Sequence, residues 1–199
     1  LLTWEIAPLD VPQKKGEVIA IDSDEGPRRS KAAAIAQLKP AFKTDGTITA
    51  ASSSSISDGA ATLMLMRRSY AKRLGIQPLA RIVGHSTWAQ APDWFTTAPI
   101  GAIRKLLNTI GWQTTAVDLW EINEAFAVVP MAAIHDLDLS IDAVNIHGGA
   151  CVLGHPVGAS GARIMVSLLN ALRQTGKQRG IASLCIGGGE ATAVALELE

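Results

Sequence analysis

The segment Asn145 to Arg163, NIHGGACVLGHPVGASGAR, constrains this 199-residue chain more than any other. Five glycines and one proline in nineteen residues exclude a plain helix or strand. The backbone must turn tightly there and pass close to something. His155 stands between Gly154 and Pro156, and a helix is expected to start near Ala159. The positive end of that helix favours neutral imidazole over imidazolium. A neutral imidazole at such a point can serve as general base or as hydrogen-bond donor. The alternative is a histidine satisfied by backbone within a turn. His147, Cys151 and His155 also recur every four residues, a spacing that would put three metal ligands on one helix face. Gly148, Gly149 and Gly154 make that helix untenable, and no metal is expected.

Around this loop the hydrophobic period alternates between two and 3.6. Strands are expected at Glu17–Ile21, Leu79–Val83, Val117–Ile122 and Ala143–Ile146, and helices at Ala98–Ile110, Glu124–Asp136 and Ala162–Thr175. Gly111 and Gly176 are placed to end two of those helices. Gly180–Ile186 and Ala191–Leu198, joined by three glycines, read as an antiparallel hairpin. Strands alternating with helices of this length argue for a layered α/β domain. Before residue 77 the pattern is looser. A short helix is expected over Arg28–Leu38, and a longer one from Ser57 to about Leu74, capped by Ser57 or Asp58 and ended by Gly75. The serine run Ser52–Ser55 has the composition of a flexible linker but leads directly into that helix.

Charge excludes some functions. Eighteen basic and eighteen acidic residues cancel, so no global field draws the chain to nucleic acid or to an anionic membrane. No apolar run approaches the roughly 18 residues of a membrane span, and no signal peptide is visible. Two cysteines build no disulfide framework, and a cytoplasmic setting is expected.

Two further segments hold side chains that core packing does not require. Asn123-Glu124-Ala125-Phe126 lies at a strand-to-helix junction, where Asn123 serves either as a cap or as a functional amide. Cys185 stands just before Gly187-Gly188-Gly189. It is either a small buried hydrophobe or a thiol that shuttles a proton beside amides able to hold an oxyanion.

Taken together and in this order, NEAFA, GGA-x-x-x-GHP-x-GASGAR and C-x-GGG resemble the thiolase family. The stretch GTITAASSSSISDGAA is similar to the family's coenzyme A-binding loop, and the resemblance covers essentially the whole chain. It implies a layered α-β-α domain with a mixed five-stranded sheet, the C-terminal half of a duplicated fold. It also implies acyl transfer between acetyl-CoA and CoA, by Claisen condensation to acetoacetyl-CoA or by its thiolysis, with coenzyme A thioesters as substrates and no resident cofactor. Within the family pattern His155 matches the activator of a nucleophilic cysteine, and together with a water held by the counterpart of Asn123 it forms one oxyanion hole. Cys185 matches the acid/base cysteine and Gly187 a backbone donor of a second oxyanion hole. Ser54 matches a contact to the pantetheine arm, and Arg28 falls where the adenine end is met, in a basic cluster with Arg29 and Lys31.

Ser52 and Ser55 stand where Asn and Gly are commoner, and Glu190 and Ala191 where a further glycine often follows. Asn123 in place of the His of the long-chain trifunctional branch favours the short-chain acetyltransferase type. Family members are roughly twice as long, and their nucleophilic cysteine lies in the N-terminal half. Cys151 occupies a variable loop position and does not replace it. Residues 1–56 therefore match a remnant of the loop domain, 57–76 a helix belonging with the N-terminal core, and 77–199 the C-terminal domain. The expected function is the C-terminal half of a thiolase, inactive alone, from a parent that is a homodimer or homotetramer. The alternatives are a non-catalytic acyl-CoA-binding module, a longer-chain 3-ketoacyl-CoA thiolase, or an assembly role built on an exposed apolar face.

Overall fold

The computed structural model describes residues 2–29 and 32–199. Four strands form the central sheet: β3 (Ala80–Ala89), β4 (Leu119–Ile122), β5 (Arg179–Ile186) and β6 (Glu190–Leu198), in the order β3-β6-β5-β4. β4 and β5 are parallel, while β5–β6 and β6–β3 are antiparallel, so the sheet is mixed. The C-terminal hairpin forms as its glycine-linked pattern predicts. The expected fifth strand at Ala143–Ile146 reduces to one parallel bridge, Val144 to Trp120. A 3-10 turn over Ile141–Ala143 precedes it and Asn145 follows at φ 49°, so the extended run lasts a single residue.

Helices cover both faces, which explains why β4 reads as a continuous buried run rather than an alternating one. On one face α3 (Ala98–Ile110) and α4 (Val128–Leu137) enclose Ile103, Leu106, Trp120, Ile122, Ile181 and Cys185. On the other α6 (Ser160–Thr175) packs Ile164, Leu168 and Leu172 against Leu119, Ala182 and Leu196. Both α3 and α6 stop at a left-handed glycine, Gly111 and Gly176, where that conformation costs nothing. α4 starts later than its sequence pattern suggests, because Glu124 to Ala127 is held by other segments.

Chain order before Ala80 gives a small antiparallel hairpin, β1 (Leu9–Pro12) with β2 (Val18–Ile21), then a single turn α1 (Gly26–Arg29). The helix expected over Arg28–Leu38 is divided into α1 and a 3-10 stretch at Ala32–Gln37, and its two intervening residues lie outside the described ones. The helix expected from Ser57 to about Leu74 is present only as α2 (Arg68–Leu74), and residues 58–67 form no regular element. Met64 and Leu65 face solvent there, and a short helix without a packed apolar face is marginal. Ser57 caps nothing, since its hydroxyl donates to Ser55 O. A last short turn, α5 (Ala150–Leu153), sits inside the glycine-rich loop. Among the described residues no helix is long and apolar enough to cross a membrane.

Candidate active site

Because β4 and β5 run parallel with Ile122 opposite Ser183, the residues leaving their C-terminal ends share one edge of the sheet. Asn123 is the first of these, and its backbone N–H donates to Ser183 O at 2.9 Å. Its side chain is buried, and neither amide atom has a hydrogen-bond partner among the described residues. A buried amide without partners is costly unless a ligand or water serves it. Cys185 lies two residues beyond Ser183, is buried, and faces the α3–α4 side. Burial pushes its thiol pKa up. Gly187 follows in the β5–β6 turn, exposed and with no atom within 4 Å of where a Cβ would stand, so its backbone is open to approach.

The serine run is no linker. It is a strap that joins the other two motifs. Ser53 bridges Phe126 in antiparallel fashion, and Ser54 donates both its N–H and its Oγ–H to Ala125 O, at 3.0 and 3.1 Å. Ala127 N–H returns to Ser52 O at 2.9 Å. One step on, Ile56 bridges His155, whose N–H donates to Ser55 O at 2.9 Å. Backbone bonds thus connect the NEAFA segment, the serines and the GHP turn into one ledge. Ser54 reaches any ligand with lone pairs alone, since its proton is committed.

The GHP turn is tight for a visible reason. Gly154 adopts φ 93°, and a Cβ there would fall 2.2 Å from Ser57 Oγ. The imidazole Nδ1 of His155 lies 2.6 Å from Ser160 Oγ, in the first residue of α6. Burial first, and the Arg163 cation second, lower the His155 pKa, so the ring is neutral near pH 7. An open cleft of about 450 Å³ lies beside this turn, between residues 57–61 and 156–159.

Three residues that build this ledge escaped the sequence reading. Glu124 accepts the Cys151 N–H at 3.0 Å and Asn145 Nδ2 at 3.2 Å, which holds the glycine-rich loop against the end of β4. Asn145 also exchanges two bonds with Ile122, its Oδ1 accepting at 2.8 Å and its Nδ2 donating at 2.9 Å. A Cβ on Gly149 would come within 2.2 Å of the Glu124 carboxyl, so the loop needs glycine at that point. Ser160 is the third. Cys151 is a spectator, because burial and the adjacent Glu124 push its thiol to about 12. Arg28 is exposed on α1, which packs on α5 closely enough that a Cβ on Gly26 would fall 1.8 Å from Val152 O. Its neighbour Arg29 pairs with Glu25 at 2.8 Å, and Lys31 lies outside the described residues. His147, Cys151 and His155 form no cluster, and no other metal-binding group of His, Cys, Asp or Glu occurs among the described residues.

Family comparison decides what kind of ledge this is. The family described as "Thiolase, C-terminal domain" matches residues 76–198, and "Thiolase, N-terminal domain" matches residues 2–69. The chain belongs to the thiolase family. It is 45% identical over 194 residues to an acetyl-CoA acetyltransferase of Chromobacterium violaceum, covering 97% of this chain and 50% of that protein. To acetyl-CoA acetyltransferase 1 of Arabidopsis thaliana it is 47% identical over 199 residues, 99% of this chain and 48% of the relative. Among solved structures, the Bacillus anthracis acetyl-CoA acetyltransferase superposes with a TM-score of 0.93 at 43% identity, covering 97% of this chain and 49% of that one. The human mitochondrial 3-ketoacyl-CoA thiolase gives 0.88 at 37% identity, again over 97% of this chain and 49% of the other. The thiolase chain described here therefore spans about half the length of the relatives it matches.

Proposed function

We propose that this chain supplies the proton-handling half of a thiolase active site, for acyl transfer between acetyl-CoA and CoA. The observation that carries the reading is the ledge itself. Asn123, His155 and the Cys185 strand come from three distant segments, yet backbone hydrogen bonds tie them to one edge of the sheet. An acyl-CoA-binding module without turnover has no use for both a buried thiol and a neutral imidazole.

In this reading Cys185, as thiolate, removes the α-proton of an acetyl thioester during condensation and, as thiol, returns it to the leaving carbanion during thiolysis. A thiol's ordinary pKa of ≈ 8.5 lies far below that of a thioester α-proton, so donors must stabilise the enolate as it forms. The open Gly187 backbone N–H is one such donor. Neutral His155 accepts the proton of the nucleophilic thiol, and the partnerless Asn123 amide orders a water at the other oxyanion. Ser54 lies along the pantetheine arm, and Arg28 meets the phosphate end of coenzyme A. Residues 1–56 then belong to the substrate-binding loop, 57–76 to the N-terminal core, and 77–199 to the C-terminal domain. The parent works in the cytoplasm as a homodimer or homotetramer. Closer identity to acetyl-CoA acetyltransferases than to the 3-ketoacyl-CoA thiolase supports acetyl and acetoacetyl substrates.

The chain alone then forms no acyl-enzyme, because its own two cysteines are the acid/base thiol and an inert one. Intact-mass measurement after incubation with acetyl-CoA is expected to find no added acetyl group. A thioester on Cys185 or Cys151 would overturn that division of labour.

A further inference from the structure

We propose that Ser160 is a positioning residue that holds His155 as its Nδ1–H tautomer, leaving Nε2 as the atom that takes up a proton. The inference rests on the reading of His155 as the proton acceptor of the site. Ser160 is fully buried, and its Oγ touches two groups: His155 Nδ1 at 2.6 Å and Pro156 O at 3.1 Å. A hydroxyl has one proton to give and lone pairs to receive. Pro156 O is a carbonyl and only accepts. It collects the Ser160 hydroxyl together with the N–H groups of Ala159 and Ser160, at 2.7 and 2.9 Å. With the hydroxyl proton on Pro156 O, Oγ turns a lone pair to the ring and Nδ1–H is satisfied.

Direction matters when His155 is protonated. An imidazolium donates from both nitrogens, so Nδ1–H needs an acceptor in every state of the cycle. The chain Nδ1–H to Ser160 Oγ–H to Pro156 O provides one before and after Nε2 gains its proton, with no rearrangement. The opposite polarity, with Oγ–H donating to Nδ1, leaves Nε2 protonated and unable to act as base. Water cannot replace the serine, since the site around Oγ is closed, and an unserved buried N–H is costly. When the nucleophile's S–H passes its proton to Nε2, a thiolate and an imidazolium result, and Ser160 and Pro156 keep their protons and lone pairs as they were.

Nitrogen NMR of the protein with isotope-labelled histidine tests this directly, with the His155 signals assigned by their loss in His155→Gln. The wild type is expected to be protonated at Nδ1 near neutral pH. Ser160→Ala removes one oxygen atom and is expected to release the ring to a mixture of tautomers or to Nε2–H. Ser160→Thr, which keeps the hydroxyl, is expected to restore the wild-type signal. An Nε2–H ring in the wild type, a reading that needs no variant, overturns the proposal; so does an unchanged Nδ1–H ring in Ser160→Ala. These tautomer readings stand apart from turnover. When the chain is completed with the other half of a relative, Ser160→Ala is expected to lower kcat by about ten- to a hundredfold with KM unchanged. A chain that has the Nδ1–H ring yet no thiolysis contradicts the acyl-transfer reading and leaves the role of Ser160 intact.

Discussion

From Ala80 to Glu199 the sheet is sheathed on both faces, and the large side chains Ile103, Leu106, Ile122, Leu168 and Leu172 are fully buried. Before Ala80 a single side chain among the described residues, Ala71, is buried, while Leu9, Val18, Ile56, Met64 and Leu65 stand exposed. The two regions keep their shapes by different means. The later one is held by apolar burial. The earlier one is held where it borrows hydrogen-bond partners: Ser52 to Ser55 pair with the backbone of Ala125, Ala127 and His155, and the Glu5 carboxylate accepts from the side chains of Ser167 and Asn170 on α6. A loop segment can therefore be placed accurately on the ledge without possessing a core of its own.

The largest effect that sharpens this contrast is expected from Leu168→Ala. Leu168 packs so closely that a Cβ on Gly180 would lie 2.6 Å from its Cδ1. The substitution is expected to cost about 2–5 kcal/mol in urea unfolding. A cost below ~1 kcal/mol would break the comparison at its stronger side. Next comes Asn145→Ala, which removes both bonds to Ile122 and the one to Glu124. It orphans buried backbone groups and is expected to cost about 1–3 kcal/mol. An unchanged unfolding midpoint would show that the glycine-rich loop keeps its place by other means.

A third test uses pH. Burial pushes the Glu121 carboxyl up to about 8 from 4.5, with nearby Glu5 and Glu124 adding to the rise and Arg163 opposing it. The folded state therefore binds more protons than the unfolded state between those values, so stability falls as pH rises from about 4.5 through about 8. Glu121→Gln is expected to lack that fall and to exceed the wild type in stability above pH 8. Parallel curves for the two proteins would contradict it. The smallest effect is expected from Met64→Ala. Met64 is 82% exposed, and its loss should change stability by no more than about 0.5 kcal/mol. A larger loss would mean that the earlier region packs after all.

Legibility in the sequence follows the same divide. α3 was readable from end to end, because its apolar stripe has a sheet to face and Gly111 stops it. The long helix expected from Ser57 was not formed, since periodicity reports an apolar face and says nothing of a surface to receive it. β1 was missed because Pro8 and Pro12 bracket it, and Pro12 is tolerated at the end of an edge strand. At the site, the motif residues themselves were legible. Glu124, Asn145 and Ser160 were not, because each takes its role from a contact that only folding creates. Asn145 meets Glu124 from 21 positions away, and Ser160 reads locally as a small residue at a helix start.

The central claim is that Cys185 and His155 divide the chemistry, the thiol handling the α-proton and the imidazole serving the nucleophile. Its most direct test is carried out on the chain completed with the other half of a relative, comparing Cys185→Ser with the wild type in two assays. The account predicts that Cys185→Ser still takes up acetyl from acetyl-CoA on the nucleophile, while thiolysis of acetoacetyl-CoA falls by orders of magnitude. Loss of acetyl uptake in Cys185→Ser, or thiolysis at the wild-type rate, would contradict it.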